Sequence, residues 1–322
     1  MQKKELSVLM LGGGKRVSVA TLLMDAGKRL GFDDVKIYSH ELSAEQPIAC
    51  VGEVLCGGRY NDPATVDELI GVVKRLDIDI VLAFVDPAIS VVAALKSRLD
   101  SEQGMGRAFI PVSEQEITDV LFDKVRSADA FARVGIPIPK TYCAEDVQFP
   151  CILKPRRGSA SKGIVVAHTA EDFAQVEQKD NYLIQEYIAN AEECTVDCYV
   201  GMLDGEVKCT VPRLRLETAG GEVVRTRTFR DTELMEHCRR VLEQLSLRGP
   251  VTLQWLREKG SQEQWRLMEI NPRLGGGVVC SICSGADIAE MIVRESLGQT
   301  AHPVSDWRDG ALMTRYMKEV MF

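Results

Sequence analysis

The sequence predicts a mixed fold, in which a parallel α/β domain is followed by a larger α+β region. In the first part of the chain, short apolar strands alternate with helical patterns, and this βαβ rhythm is typical of a parallel sheet with helices on both faces. In the last part, two strand patterns flank the turn formed by residues 219–222, which predicts a hairpin. The sequence shows no internal repeat, low-complexity tract or long linker.

The predicted elements follow one another in three groups. The first group has strands at 6–11, 35–38 and 78–84, with helices at about 17–30 and 65–76. The second has a helix at about 124–134, a turn at 135–139 and a central lobe at about 141–200, with apolar strands at 151–155 and 182–188. The third contains the hairpin at 209–229. We therefore divide the chain into a domain at 1–115, a linker helix with the central lobe at 116–200, and a C-terminal lobe at 201–322.

The composition excludes several classes of protein. A net charge of −8 disfavours a general nucleic-acid binder, and no apolar run has the length needed to span a bilayer. The first residues lead directly into a strand without a small-residue cleavage site, so we expect no signal peptide. Cys280 and Cys283 have zinc or redox spacing, but no second pair or nearby histidine completes a site. We expect a cytoplasmic protein with no nucleic-acid or membrane partner.

The run 268–277 (MEINPRLGGG) is the most informative stretch of the chain. It places Glu269, Asn271 and Arg273 two residues apart, which puts the three side chains on one face of an extended strand. Oxygen ligands suit Mg²⁺, and an arginine suits a phosphate that Mg²⁺ bridges. The following glycines can bring backbone N–H groups to the same anion. The alternative is a buried edge strand that runs into a glycine-rich turn.

Two further segments carry groups that suit a nucleotide. The strand at 151–155 ends with Lys154 and is followed by the small, glycine-flanked loop 158–163, which can hold a polyphosphate although it is not a Walker A loop. Glu186 lies near the end of the strand at 182–188, and Glu193 follows seven residues later. A carboxylate can accept hydrogen bonds from an adenine amino group or from ribose hydroxyls. Taken singly, each acid is more typical of a solvated surface charge than of a ligand-binding group.

The order of these motifs resembles the ATP-grasp superfamily, and most closely the single-module relatives of the carbamoyl phosphate synthase large subunit. The resemblance extends from about residue 3 to residue 298. It implies the ATP-grasp fold, with an N-terminal preATP-grasp, Rossmann-like domain and two α+β lobes that sandwich ATP.

The N-terminal run of three glycines, Gly12 to Gly14, matches a dinucleotide fingerprint only in part, because Val17 replaces its third glycine. A nicotinamide cofactor is therefore not expected.

The resemblance also implies how ATP is held. Lys124 and Lys154 match lysines that contact phosphate, and loop 158–163 matches the flexible loop that closes over the β- and γ-phosphates. Glu186 matches the adenine-side acid, and Glu193 matches the acid that binds the ribose. The implied ATP-binding set is Lys124, Lys154, Gly158, Ser159, Ser161, Gly163, Glu186, Tyr187, Ile188 and Glu193.

The resemblance further implies a metal site and a catalytic pair. Gln254, Glu269 and Asn271 match the metal ligands, which would hold two Mg²⁺ ions, with Mn²⁺ as a substitute. Arg273 matches the arginine that stabilises the transferring phosphoryl group together with Lys154. A glutamine at position 254, where many ATP-grasp enzymes have an acid, indicates the carbamoyl phosphate synthase branch.

The acceptor substrate is less well defined by the sequence. Strand alternation puts Arg213 and Arg215 on one face of the hairpin, and Arg225 and Arg227 on one face of its second strand. These arginines are either a clamp for a carboxylate or ordinary exposed charges. In the family the strand ends of the N-terminal domain face the substrate, which makes Glu41 and Asp86 candidates as well. The candidate substrate-binding set is Arg213, Arg215, Asp86 and the amide of Gly276.

The predicted function is an ATP-dependent carboxylate ligase. It would form an acyl phosphate that an amine or another nucleophile captures, so its partners would be small-molecule carboxylates and amines, and a homodimer is possible. One ATP-grasp module and no glutaminase-type segment argue against carbamoyl phosphate synthesis from bicarbonate. The alternatives are a nucleotide-binding regulatory or assembly protein without turnover, and a kinase that stops at the phosphorylated product.

Overall fold

The computed structural model describes residues 4–101, 108–158, 162–261 and 263–322. It is a mixed α/β structure with three sheets. A four-stranded sheet has the order β3-β2-β1-β4, a three-stranded sheet the order β6-β5-β7, and a six-stranded sheet the order β12-β11-β8-β9-β10-β13. The strands of the first two sheets are β1 (Glu5–Leu11), β2 (Asp34–Glu41), β3 (Glu53–Cys56), β4 (Ile80–Ala83), β5 (Cys151–Pro155), β6 (Val165–Ala167) and β7 (Tyr182–Glu186).

The N-terminal domain confirms the predicted parallel sheet. The three strand pairings of this sheet are all parallel, and Val8 of β1 lies opposite Ile37 of β2 and Ile80 of β4. Because side chains alternate along a strand, Val8 packs in one core with helix α1 (Val17–Arg29), whereas Leu9 packs on the other face in a core with helices α2 (Thr65–Arg75) and α3 (Asp86–Ser101).

Two short helices, α4 (Gln115–Phe122) and α5 (Lys124–Arg133), lead to the three-stranded antiparallel sheet. Asp123 begins α5 because its side chain accepts hydrogen bonds from the backbone of residues 125 and 126. The same carboxylate also binds Arg156, at 2.7 Å, just after β5. The start of α5, with Lys124, is thereby fixed beside the end of β5, the strand that carries Lys154. Helix α6 (Ala170–Ala174) packs on this sheet through Phe173.

The six-stranded antiparallel sheet forms most of the C-terminal part. The hairpin of β9 and β10 turns at residues 220–221, as the sequence predicts. Residues 191–200, which we grouped with the central lobe, form β8 and pair with β9 and β11 in this sheet. The strands and helices are β8 (Ala191–Val200), β9 (Val207–Ala219), β10 (Glu222–Thr228), α7 (Thr232–Gln244), β11 (Gly249–Glu258), β12 (Arg266–Asn271), α8 (Val278–Cys283), α9 (Ile288–Ser296) and β13 (Leu312–Thr314).

The N-terminal domain packs directly on the last helices of the chain. One continuous core joins Val8 and Leu23 to Ile288, Ile292 and Trp307. At its surface Arg29 pairs with acids near the start of α9. All ten cysteines are free, and none of the described helices is long and apolar enough to cross a bilayer.

Candidate functional site

A cleft of about 850 Å³ is lined by residues of the three-stranded and six-stranded sheets, and by Arg16 and residues 84–87, which follow strands of the N-terminal domain. Nearly all of the site residues that the sequence predicts line it. From the N-terminal domain and the linker helix come Asp86 and Lys124, and from the three-stranded sheet and its loops Lys154, Gly158, Glu186, Tyr187 and Ile188. The six-stranded sheet and the loop after β12 supply Glu193, Arg213, Arg215, Gln254, Glu269, Asn271, Arg273 and Gly276.

The three predicted metal ligands lie together on adjacent strands. Gln254 of β11 is directly opposite Glu269 of β12, and Asn271 follows two residues later on the same face. The described part of the chain gives none of the three side chains a hydrogen-bond or ion-pair partner, although Asn271 is 5% exposed. Three oxygen donors free to turn into one cleft suit a hard cation such as Mg²⁺. Among the described residues no trio of His, Cys, Asp and Glu is placed for a metal, so a cation here would need the amide oxygens of Gln254 and Asn271 beside the carboxylate of Glu269.

Lys154 lies at the centre of the charged groups of the cleft. Its Nζ donates a hydrogen bond to Oε1 of Gln185 at 3.0 Å. Burial lowers the pKa of Lys154 to about 8, and the nearby charges of Glu269 and Glu193 oppose that shift. Lys124 adds to the lowering of this pKa, and its own Nζ donates to the backbone oxygen of Gly158 at 2.7 Å. The pKa of Lys154 is therefore set by its burial and by the charges of another lysine and two acids in the cleft.

The two acids predicted to contact the nucleoside already have partners. Oε1 of Glu186 accepts from the backbone N–H of Lys140 at 2.7 Å and from Arg266 at 2.9 Å. Glu193 is paired with Arg215 at 3.1 Å and is 42% exposed. These contacts hold both carboxylates in the lining of the cleft. Their roles towards adenine and ribose stay predictions.

The predicted phosphate loop is described only in part. Gly158 lines the cleft, as do Lys162 and Ile164 beyond it, whereas Gly163 is not among the lining residues. Ser159 and Ser161 lie outside the described residues.

Arg273 is held by an acid from another domain. Its Nε donates to Oδ1 of Asp86 at 2.7 Å, and its Nη2 contacts the same oxygen. Asp86 is the first residue of α3, so this contact links the guanidinium of Arg273, just after β12, to the N-terminal domain. The candidate Glu41 is not in the cleft, because its carboxylate accepts from the backbone N–H of Gly14 and from Ser39.

Arg213 forms a buried ion pair. Its Nε and Nη2 donate to Asp197 at 2.7 and 3.2 Å, and the hydroxyl of Ser281 donates to the same carboxylate at 2.6 Å. The remaining Nη1 is buried without a hydrogen-bond partner among the described residues. Gly277 packs against this nitrogen, and a Cβ at that position would collide with it. The glycine is therefore required by the close approach of the guanidinium.

The other hairpin arginines differ in their environments. Arg215 donates to the backbone oxygen of Gly221 and pairs with Glu193, and burial lowers its pKa. Arg225 and Arg227 are exposed and do not line the cleft, because the residues that alternate with them on β10 face the core. Of the two arginine pairs, only the one on β9 reaches the candidate site.

A second charged group of the cleft has no counterpart in the sequence analysis. Glu222, at the start of β10, is bound by Arg16 from the loop after β1 and by Arg315 from just after β13. No motif contains these three residues. The sequence signals near them are the glycine run at 12–14, close to Arg16, and the predicted turn at 219–222, which contains Glu222.

Comparisons with known proteins identify ATP-grasp domains in this chain. The family model described as "ATP-grasp in the biosynthetic pathway with Ter operon" matches residues 178–319, and the RimK-like ATP-grasp domain matches residues 122–226. A carbamoyl-phosphate synthase from Methanobrevibacter smithii is 27% identical over 184 residues, which are 52% of this chain and 48% of that protein. A probable alpha-L-glutamate ligase from Maridesulfovibrio salexigens is 30% identical over 107 residues, 28% of this chain and 35% of that protein.

Solved structures show the same fold. The biotin carboxylase domain of Hydrogenobacter thermophilus 2-oxoglutarate carboxylase, a dimer with MgADP and bicarbonate, has a TM-score of 0.72 at 13% identity, over 92% of this chain and 70% of that one. The ADP complex of N5-carboxyaminoimidazole synthetase from Staphylococcus aureus has a TM-score of 0.71 at 15% identity, over 93% and 79%. The chain belongs to the ATP-grasp superfamily. It spans about half, or less, of the length of the curated relatives that it matches.

Proposed function

We propose that the chain is an ATP-dependent ligase that activates a carboxylate as an acyl phosphate and transfers the acyl group to an amine or another nucleophile. The observation that carries this proposal is the convergence of Lys124, Lys154 and Arg273 with the trio of Gln254, Glu269 and Asn271 in one cleft. A site that only binds a nucleotide does not need this trio. The ligase names of the relatives support the reaction type.

The proposed reaction has two steps. A carboxylate oxygen attacks the γ-phosphorus of ATP, the bond from that phosphorus to the bridging oxygen breaks, and ADP leaves. The nucleophile then attacks the carbonyl carbon of the acyl phosphate, loses its proton, and inorganic phosphate leaves. Because phosphoryl transfer asks for little covalent chemistry from the protein, the rate comes from positioning and from charge stabilisation.

The residues of the cleft have distinct roles in this scheme. Lys124 and Lys154 bind phosphate oxygens, and the low pKa of Lys154 lets added negative charge complete its protonation. Arg273, oriented by Asp86, faces the charge that develops on the transferred group. Gln254, Glu269 and Asn271 would hold Mg²⁺, which neutralises phosphate charge when bound. Two ions, as the resemblance implies, are part of the proposal, and so is a homodimer.

An ADP-release assay tests this function. The full chain is incubated with MgATP and a panel of amino acids and small carboxylates, each with and without candidate amines. The proposal expects release that depends on both substrates. Release with the acid alone, together with an accumulating phosphorylated acid, would identify a kinase. ATP binding without any stimulated release would identify a nucleotide-binding protein without turnover.

The metal site is tested in the same assay. Glu269→Gln removes the only anionic ligand of the trio, and the loss of several kcal/mol of electrostatic stabilisation predicts a decrease in kcat of about 100-fold or more. The matched control is Glu258→Gln on the neighbouring strand β11, whose exposed side chain does not line the cleft. Nearly normal release by Glu269→Gln at saturating Mg²⁺ would refute the metal assignment.

A further inference from the structure

Glu222 lies between two arginines that come from opposite ends of the chain. Arg16 donates from Nη1 and Nη2 to the two carboxylate oxygens, both at 2.9 Å, and Arg315 donates from Nη1 to Oε2 at 2.9 Å. We call the two guanidiniums the Arg16–Arg315 fork. Their donors hold the carboxylate ionised and lower the pKa of Glu222 to about 2. The fork is thus a formed binding site for a carboxylate, with donors placed for both oxygens.

The fork lies in the cleft beside Gly276. Arg16 and Glu222 are lining residues, and Nη2 of Arg315 donates to the backbone oxygen of Gly276, which also lines the cleft. Gly276 is three residues after Arg273. The fork therefore contacts the loop that follows β12, the strand that carries two of the proposed metal ligands. A Cβ at Gly276 would lie 3.5 Å from Arg16 and 3.6 Å from Arg315. Both distances are ordinary van der Waals contacts, so they place the two guanidiniums directly beside Gly276.

The acid is the exposed member of the cluster. The side chain of Glu222 is 41% exposed, compared with 13% for Arg16 and 29% for Arg315. It follows Gly220 and Gly221, which have φ angles of +57° and +81°, and a Cβ added at either glycine would have no neighbouring atom within 4 Å. Between residues 223 and 226 the register of β10 against β9 is irregular. The hairpin tip has space around it, whereas the two arginines are more buried than the acid.

We propose that the Arg16–Arg315 fork binds a substrate carboxylate that does not react, and that Glu222 occupies the fork until this substrate displaces it. The inference rests on the proposed ligase function. The carboxylate that accepts phosphate must lie beside Arg273 and the metal trio, so the fork holds a different one. The substrate is therefore either a dicarboxylic acid or an amino acid that supplies the attacking amine. Both sources present the same planar anion, which a guanidinium binds through paired N–H groups.

Binding experiments test the fork without turnover. The full chain with bound MgADP is titrated by calorimetry with glutarate, as a dicarboxylate, and with glycine, as an amino acid; butyrate serves as the monocarboxylate reference. Glu222→Gln removes the charge of the side chain that competes with the probe for the fork. This variant should therefore bind one of the two probes at least about tenfold more tightly than wild type. Adding Arg315→Gln to Glu222→Gln should return the affinity for that probe to the wild-type value or below. The probe that responds identifies the source of the carboxylate.

The controls separate this inference from the ligase proposal. Arg239→Gln, an exposed arginine on α7, removes the same charge away from the cleft and should leave probe binding unchanged. Circular dichroism confirms that each variant is folded. Equal affinity of wild type and Glu222→Gln for both probes would overturn the fork. If Arg16→Gln turns over with an unchanged KM for the carboxylate substrate, the fork is overturned and the ligase function stands. If the probes bind the variants as predicted but no substrate stimulates ADP release, only the ligase function is refuted.

Discussion

The first prediction concerns how much the buried ion pair of Arg213 and Asp197 contributes to the stability of the protein. Both side chains are only 2% exposed, and the carboxylate accepts three hydrogen bonds, two from Arg213 and one from Ser281. Asp197→Asn keeps the size of the side chain but removes its charge and turns one acceptor into a donor that faces the guanidinium. The variant therefore leaves a positive charge buried without its counter-ion.

The expected loss of stability is large. Removing one partner of a buried ion pair typically costs about 3–5 kcal/mol, because the remaining charge has lost its solvation and its partner. The matched control is Asp33→Asn, since Asp33 and Lys4 form an exposed pair at 3.9 Å with side chains that are 70% and 86% exposed. Exposed pairs of this kind contribute little, so the control should remain within the error of wild type.

Urea unfolding followed by tryptophan fluorescence measures this difference. Trp255, Trp265 and Trp307 are the three tryptophans of the chain, all are buried, and all lie in the C-terminal part that contains the pair. The fluorescence signal therefore reports the unfolding of the region that is perturbed. A loss of less than about 1 kcal/mol for Asp197→Asn would refute the reasoning, because it would mean that water or another group compensates Arg213. A thermal scan of the same variants provides an independent check.

Two further predictions concern nucleotide binding. Because the pKa of Lys154 is about 8 and phosphate anions raise it, ATP binding at about pH 8.5 should take up protons, and uptake should vanish at about pH 6.5 and in Lys154→Gln. Calorimetry in buffers of different ionisation enthalpy measures the proton uptake. If no protons are taken up at about pH 8.5, ATP binding does not protonate Lys154. Glu193→Ala should weaken ATP binding about tenfold through lost ribose contacts, whereas Glu192→Ala, whose carboxylate binds Arg257 outside the cleft, should not. Equal ATP affinity in both variants, or GTP binding as tight as ATP, would refute the assignment.

The sequence alone determined the local part of this site. Glu269 and Asn271 share a face of β12 because side chains alternate along any strand, and Lys154 lies near the end of β5 because the apolar run that forms β5 stops there. The parallel sheet and the hairpin were equally predictable, since strand and helix periods are properties of short segments. The grouping of 191–200 with the central lobe followed sequence proximity. The observed pairing of β8 with β9 and β11 depends on hydrogen bonds to distant strands.

Only the tertiary structure decided which charged groups meet. The partner of Arg273 is Asp86, 187 positions earlier, and the partner of Arg16 is Glu222, 206 positions later. Arg213 was predicted to face the cleft, but its pairing with Asp197 depends on the register between β8 and β9. A charged residue in a sequence carries no mark of its counter-ion, because the energy of the pair depends on distance and burial. Both are fixed by how whole sheets and domains pack, not by the neighbours of either residue along the chain.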